Sequence, residues 1–357
     1  MQTNTTRDKT IDFIKGILIL FVILGHTTLG LTDMYSFDDT MNGIANVIYS
    51  FHMPCFIAVS GFLYSEYVGN ASQGIFSRIG HKAFNILLPY VMISVIYWII
   101  KFALSNLIRE PVAVSSLISI PWKPIEFLWY LYALFLVYCV AYMADYVFAR
   151  LLPHFNYKME LLFVLFLIIA LTCYGSFHYE GFNYIAGFQM YFYLGCLIKK
   201  WLDKLDNRYA VLSLAVMSVL VEASGIVLQD DMSSNPLFSS LFERLTACIV
   251  TVFIFAVSYF LSGYCDFPKW LQTIGRDSMP FYAMNVIFVG GIRIILNRAG
   301  ITNMALQCIC GFAGSTAICW ILYECIIKKI RLIEFYILPM QTALYQKMTN
   351  RNQVLLF

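Results

Sequence analysis

The sequence predicts an all-α integral membrane protein, a bundle of about ten transmembrane helices with both termini cytoplasmic. Three observations carry that prediction. The 357 residues are 60% hydrophobic and 13% charged, with a mean hydropathy of +0.71, where a soluble domain carries about 25% charged residues. Apolar runs recur at 11–31, 44–64, 84–104, 125–148, 160–175, 184–198, 209–228, 244–262, 277–296 and 305–327. Most approach the roughly 20 residues that a span requires, the fifth and sixth being short. Lys and Arg also segregate. Arg7, Lys9, Arg78, Lys82, Arg150, Lys158, Lys199, Lys200, Lys269 and Arg276 fall with the termini on one set of segments. The opposite loops hold Arg109, Lys123, Arg244 and Arg298 beside Asp33, Asp38, Asp39, Asp230 and Asp231. Basic loops mark the cytoplasmic side.

The first run is too long for the h-region of a cleaved signal peptide and reads as a retained first helix. Residues 1–330 read as one polytopic domain and 331–357 as a short cytoplasmic tail, too short for a further domain. No internal repeat is visible. Most of the ten cysteines lie inside apolar runs, where Cys behaves as a small hydrophobe, so neither a metal site nor a disulfide is expected. The formal charge of +3 is far from the basic excess of a nucleic-acid binder, and the expected surroundings are a lipid bilayer and no nucleic acid.

The first span carries the sharpest chemical signal. Lys15 and His26 lie inside its apolar run, eleven positions apart. At about 100° per residue, eleven positions are three turns plus about 20°, so the two share a face, roughly 16 Å apart along the axis. Ionisable residues within a span are costly and functional by default. The plain alternatives are that Lys15 pairs with Asp12 or snorkels to the interface, and that His26 only hydrogen-bonds a carbonyl. In the second span, His52 lies at nearly the depth of His26, within roughly 4–5 Å, and Ser60 at the depth of Lys15. The plain reading of His52 is that it serves the backbone loosened by Pro54, which removes one helical hydrogen bond.

Later spans give weaker signals. Arg78 and Lys82 form a basic cluster after the second span; such clusters usually set topology and sometimes bind phosphate. Trp129, Tyr130 and Tyr132 read as an interfacial aromatic belt or a substrate platform. Glu222 and Asn285 read as hydrogen bonds between helices or as substrate contacts, and Arg293 carries the same ambiguity.

At these residues the chain resembles the membrane-bound acyltransferase-3 family, nearest to its fucose 4-O-acetylase-like branch. The matching stretches are Asp12-Phe-Ile-Lys-Gly16 with Leu24-Gly-His26, then Phe51-His-Met-Pro54 with Ser60-Gly-Phe62. Arg78 and Lys82 before Pro89-Tyr90 follow, and then Leu128-Trp-Tyr-Leu131 with Ala133-Leu-Phe135. Tyr193-Leu-Gly195 and Ile274-Gly275 with Ser278 and Tyr282 are thinner matches. The chain departs from the family at Met284-Asn285, where many members end the motif in histidine. It departs again at His81, where many have arginine.

The resemblance implies a multi-pass acyltransferase of the bacterial cytoplasmic membrane. It would move an acetyl group from acetyl-CoA to a hydroxyl of a cell-surface or lipid-linked carbohydrate, with no permanently bound cofactor. His26 is then the expected general base, or the site of a transient acetyl-imidazole. Lys15, Arg78 and Lys82 are expected to hold the phosphates of CoA, with the pantetheine arm between the first two helices. His52 or Ser60 would position the donor or the oxyanion, and Trp129, Tyr130, Glu222 and Asn285 the acceptor. Two other classes remain open: a proton-coupled transporter or glycan exporter with Lys15 and His26 as a relay, and a non-catalytic membrane partner in glycan assembly.

Overall fold

A computed structural model describes residues 8–32, 34, 39–68, 74–103, 114–205, 207–227 and 235–339. Arg7, Arg109 and most of the acidic outer loop residues (Asp33, Asp38, Asp230 and Asp231) lie outside the described residues, as does most of the expected tail. All described regular structure is helical. In chain order the helices are α1 (Lys9–Thr32), α2 (Asp39–Val68), α3 (Ile75–Ala103), α4 (Val114–Ser119), α5 (Trp129–Leu151), α6 (Lys158–Cys173) and α7 (Glu180–Leu205). They continue with α8 (Arg208–Val227), α9 (Pro236–Ser262), α10 (Lys269–Arg276), α11 (Ser278–Arg298), α12 (Met304–Leu322) and α13 (Arg331–Ile337).

Among the described residues, eight helices are long and apolar enough to cross a membrane: α1, α2, α3, α5, α8, α9, α11 and α12 with its continuation. The other two predicted spans are helices too. α6, with 16 residues, is short, and α7 interrupts its apolar run with Asn183, Gln189, Tyr184, Tyr191 and Tyr193.

Local chemistry explains the boundaries. Asp8 caps α1 by accepting from the Thr10 and Ile11 amides at 2.8 and 3.4 Å. Asn235 and Asn303 cap α9 and α12, accepting from Phe238 N and Leu306 N, and Pro236 occupies the first turn of α9, where its missing N–H costs nothing. The turn from α11 to α12 passes through Gly300 at φ 75°, a left-handed conformation that glycine adopts without a Cβ clash. One π-helical turn, Ala83–Leu87, interrupts α3, and a second, Tyr323–Ile327, continues α12.

The chain divides into two compact units. The first comprises α1, α2 as far as Glu66, and the chain from Leu194 to Ile326. In it α1 is the central helix, packed against α9, α10, α11 and α12. Its contact with α10 is a backbone contact. A Cβ on Gly275 would stand 1.7 Å from the Asp12 carbonyl oxygen, and one on Gly16 2.3 Å from the Leu271 carbonyl oxygen. Asp277, between α10 and α11, is 2% exposed and accepts from Arg276 Nε and Nη2 at 3.1 and 2.9 Å and from the Tyr323 hydroxyl. Near the far end of α11, Arg293 Nη1 donates to the Gly30 carbonyl at 2.5 Å.

The second unit runs from Tyr67 to Tyr193 and takes up the chain again from Ile327. Here α3 packs on α5, and α13 on the later part of α3. Rings fill the interior: Tyr138 meets Phe192, Phe166 meets Tyr193, and Phe84 meets Phe335. The Tyr90 hydroxyl donates to the Ile120 carbonyl at 2.5 Å.

Candidate active site

In the first unit, α1 and α2 bring the two predicted histidines to one place, each against Tyr49. His26 projects from the late part of α1, and its Nδ1 lies 3.3 Å from the Tyr49 hydroxyl. The Tyr49 ring stands edge-on to both imidazoles, with centroids 6.3 Å from His26 and 4.8 Å from His52. The helix positions alone predict depths for His26 and His52 within roughly 4–5 Å of each other. Tyr49 has no comparable local signal, being one of 24 tyrosines.

The two histidines are held differently. His52, almost fully buried, places Nδ1 2.7 Å from the Ile48 carbonyl oxygen one turn earlier. A carbonyl only accepts, so Nδ1 carries the proton and the lone pair of neutral His52 sits on Nε2. The carbonyl that His52 bonds is that of Ile48, not that of Ser50, which loses its helical partner to Pro54. His26 is half-buried and meets a hydroxyl, which both donates and accepts, so its tautomer is open to chemistry.

Ser50, on the next position of α2, donates to the Val47 carbonyl at 2.7 Å and to Glu222 Oε1 on α8 at 3.1 Å. Glu222 therefore joins the segment of α2 that carries Tyr49 and His52. Ser60 donates to the Phe56 carbonyl at 3.3 Å, a bond within its own helix. Lys15 is half-buried on α1 beside Gly16, at the level where α1 and α10 touch backbone to backbone. Asn285 is fully buried on α11 and gives both Nδ2 hydrogens to its own helix, at Phe281 O and Tyr282 O (3.0 and 2.7 Å).

The remaining predicted residues belong to the second unit. Lys82 is 8% exposed, and its Nζ lies 3.9 Å from the centroid of the Tyr138 ring; the Arg78 guanidinium lies 5.5 Å from that of Tyr142. Both pairs are four residues apart on their helices, so a basic stripe of α3 faces a tyrosine stripe of α5. Trp129 stacks on Tyr184 with centroids 5.5 Å apart and packs on Phe188 at 5.2 Å, while buried Tyr130 meets its edge at 6.4 Å. Beside them the hydroxyls of Tyr132 and Tyr179 are hydrogen-bonded, and Tyr184 donates to Glu180 at 3.0 Å.

The model of the Acyl_transf_3 family, described as an acyltransferase domain, matches residues 8–324. The chain belongs to this family. The match covers both histidines, Lys15, and the two pairs of basic residues and tyrosines. Two curated relatives carry the name Nodulation protein NolL. The protein from Mesorhizobium japonicum is 31% identical over 157 residues, 43% of this chain and 38% of the relative. The protein from Sinorhizobium fredii is 39% identical over 84 residues, 23% of this chain and 22% of the relative. The matched regions thus span well under half of either relative. No solved structure shows significant similarity to the chain. Family membership and the apolar helices together make this a multi-pass membrane protein of an acyltransferase family.

Proposed function

We propose that this protein is an O-acetyltransferase that moves an acetyl group from acetyl-CoA to a carbohydrate hydroxyl, with residues 1–330 as one catalytic domain. The observation that carries the reading is the grouping of His26, Tyr49 and His52 in the first unit, inside the region matched to the acyltransferase family. A half-buried imidazole on a membrane helix is suited to act as a base, because its neutral form keeps a lone pair on one ring nitrogen.

In this mechanism His26 Nε2 removes the proton of the acceptor hydroxyl as its oxygen attacks the thioester carbonyl. The tetrahedral oxyanion collapses by breaking the C–S bond. The CoA thiolate then takes the proton from His26, which leaves an acetyl ester, free CoA thiol and neutral imidazole. His52 and Ser60 are assigned to placing the donor and the developing oxyanion. Arg78 and Lys82 are assigned to phosphates of the donor, since guanidinium and ammonium groups form charge-assisted bonds to phosphate, and Lys15 to the donor on the His26 helix. Glu222, Trp129, Tyr130 and Asn285 are assigned to the acceptor. A carboxylate takes sugar hydroxyls as an acceptor of hydrogen bonds, and an aromatic face suits the apolar face of a pyranose.

The asymmetry of Lys and Arg between the loops supports a cytoplasmic position for both termini. Resemblance at the first two helices supports the fucose 4-O-acetylase-like branch and a bacterial cytoplasmic membrane. The test follows free thiol from acetyl-CoA with purified protein in detergent, with and without a panel of polysaccharide and lipid-linked acceptors. Wild type is expected to release thiol and acetylate an acceptor, and folded His26→Ala to do neither. Full turnover by His26→Ala would remove the mechanism, and failure of the wild type to bind or consume acetyl-CoA would remove the function.

A further inference from the structure

Three features of the first unit converge on Tyr49. Its hydroxyl lies 3.3 Å from His26 Nδ1. Its ring packs edge-on against His52, whose own ring is fixed by the bond from Nδ1 to the Ile48 carbonyl. Its seat on α1 is made by Gly25, next to His26: a Cβ there would stand 3.2 Å from Tyr49 Cε2 and 3.2 Å from Ile48 Cγ2. A side chain at position 25 would require the Tyr49 ring and Ile48 to give by a few tenths of an ångström. Tyr49 is also 37% exposed, so its position is not enforced by enclosure alone.

We propose that Tyr49 is a positioning residue that accepts a hydrogen bond from His26 Nδ1–H and so holds the imidazole with its lone pair on Nε2. The inference rests on the reading of His26 as the general base. A neutral imidazole has one proton and two nitrogens. If Nδ1 holds the proton, the lone pair lies on Nε2, the nitrogen that takes the proton of the acceptor hydroxyl. If the Tyr49 hydroxyl instead donates to Nδ1, the proton sits on Nε2 and that nitrogen cannot act. When Nε2 is protonated in the reaction, the Nδ1–H bond to Tyr49 becomes charge-assisted, and such bonds are shorter and roughly twice as strong. The 3.3 Å separation is longer than the usual 2.9–3.0 Å, as expected of a bond that tightens when the imidazolium forms. No carboxylate is needed for this: a tyrosine oxygen supplies the acceptor without adding a charge to the span.

The experiment uses the full chain in detergent, labelled with 15N histidine, with His26 assigned among the five histidines by the signal lost in His26→Asn. Wild type is expected to show His26 protonated at Nδ1 and unprotonated at Nε2. Tyr49→Phe, which keeps the ring and its packing, is expected to shift His26 toward the Nε2–H tautomer at an unchanged melting temperature. In the thiol-release assay, Tyr49→Phe is expected to lower kcat about tenfold with the KM for acetyl-CoA unchanged, a part of the hundredfold or more that a positioned base contributes. The tautomer measurement requires no acceptor. An Nε2–H signal in wild type, or a His26 signal indifferent to Tyr49→Phe, overturns the proposal. If His26→Ala is inactive and Tyr49→Phe keeps wild-type kcat, the role of Tyr49 falls and that of His26 stands. If His26→Ala is fully active, the base reading itself falls.

Discussion

In the first unit rings also pack, as Phe13 on Phe267 and Phe62 on Phe255, but beside them the helices meet through glycines and single polar bonds: Gly275 on the Asp12 carbonyl, Gly195 on Ala58, Asp277 to Tyr323, Arg293 to Gly30, Ser50 to Glu222. In the second unit they meet through rings: Lys82 over Tyr138, Trp129 on Tyr184 and Phe188, Tyr138 against Phe192. The physical difference is tolerance. A backbone contact leaves no slack, because neither partner has a rotatable bond to give way, and small residues are what allow membrane helices to come so close. A ring contact spreads its energy over many weak dispersion contacts, and a ring can rotate or slide. The site with the candidate base is built in the unit that tolerates least. This suits chemistry in which an ångström of misplacement costs about a hundredfold in rate.

The largest effect that separates the two kinds of contact is expected at a glycine. Gly275→Ala puts a methyl group 1.7 Å from the Asp12 carbonyl oxygen and 2.6 Å from Gly16 N, all of it backbone. Overpacking of this kind costs roughly 3 kcal/mol and can prevent folding. The matching change in the second unit is Gly187→Ala, whose methyl has three atoms of the Tyr174 ring as its nearest neighbours, the first 2.7 Å away. That ring can move, and alanine gains about 0.5–1 kcal/mol in a helix, so the net change is expected within about 1 kcal/mol. Thermal denaturation in detergent reads both. Equal losses would erase the distinction between the units.

Asp277→Ala is expected to come next. Its carboxylate is almost fully buried and accepts from the Arg276 guanidinium and the Tyr323 hydroxyl. The bond to Asp277 pushes the Arg276 pKa further above its ordinary value, so the guanidinium stays charged at any working pH. Removing the carboxylate takes an acceptor from the buried Tyr323 hydroxyl and from the Arg276 guanidinium, which reaches solvent, at about 1–2 kcal/mol. A fall in melting temperature in Asp277→Ala, partly recovered in Asp277→Asn, is the expected pattern. Unchanged melting in both would show that the junction of α10 and α11 does not depend on this group.

How much of this was legible in the sequence depends on how rare each signal is. Lys15 and His26 stand out because an ionisable residue inside an apolar run is uncommon, and helical geometry alone puts them on one face. His52 stood out for the same reason, and it meets the same tyrosine as His26. The helices at 160–175 and 184–198 were legible as helices, but their fit to a bilayer was not, since a run of 16 residues or one broken by tyrosines satisfies the pattern only in part. The glycine contacts were not legible as contacts: the resemblance singled out Gly16, Gly195 and Gly275, but nothing local shows that Gly275 meets Asp12 while a Cβ on Gly290 would have no described neighbour within 4 Å. Tyr49, Tyr138 and Tyr142 were hidden in a chain that is 17% aromatic. The partners of Asp277 and Glu222 lie 46 and 172 residues away, beyond any periodicity.

Lys82→Met sharpens the comparison within the second unit. Methionine keeps much of the aliphatic stem against Tyr138 and removes only the charge. Stability is expected to fall by about 1–2 kcal/mol, the worth of a largely desolvated cation–π contact. If Lys82 also holds a donor phosphate, the KM for acetyl-CoA is expected to rise about tenfold with kcat retained, and Tyr138→Leu to change stability without that rise in KM. A KM that follows stability across both variants would leave Lys82 with a packing role alone.

Ser50→Ala is the smallest and most discriminating change in the first unit. It removes the hydroxyl that joins α2 to Glu222 on α8, a bond of 3.1 Å that is half-buried. Polar bonds between membrane helices average about 0.6 kcal/mol, because the separated helices find other partners. The melting temperature is therefore expected to drop only slightly. Glu222→Gln retains an acceptor for Ser50 and should cost less still. Their effects on turnover separate glue from substrate contact. If Glu222 binds the acceptor, Glu222→Gln raises the KM for the carbohydrate and leaves acetyl-CoA binding intact, while Ser50→Ala does so weakly, by freeing the carboxylate to turn. If the pair only fastens α8 to α2, both variants keep wild-type KM for both substrates. Small polar bonds are then the mortar of this unit, and its chemistry is confined to α1 and α2.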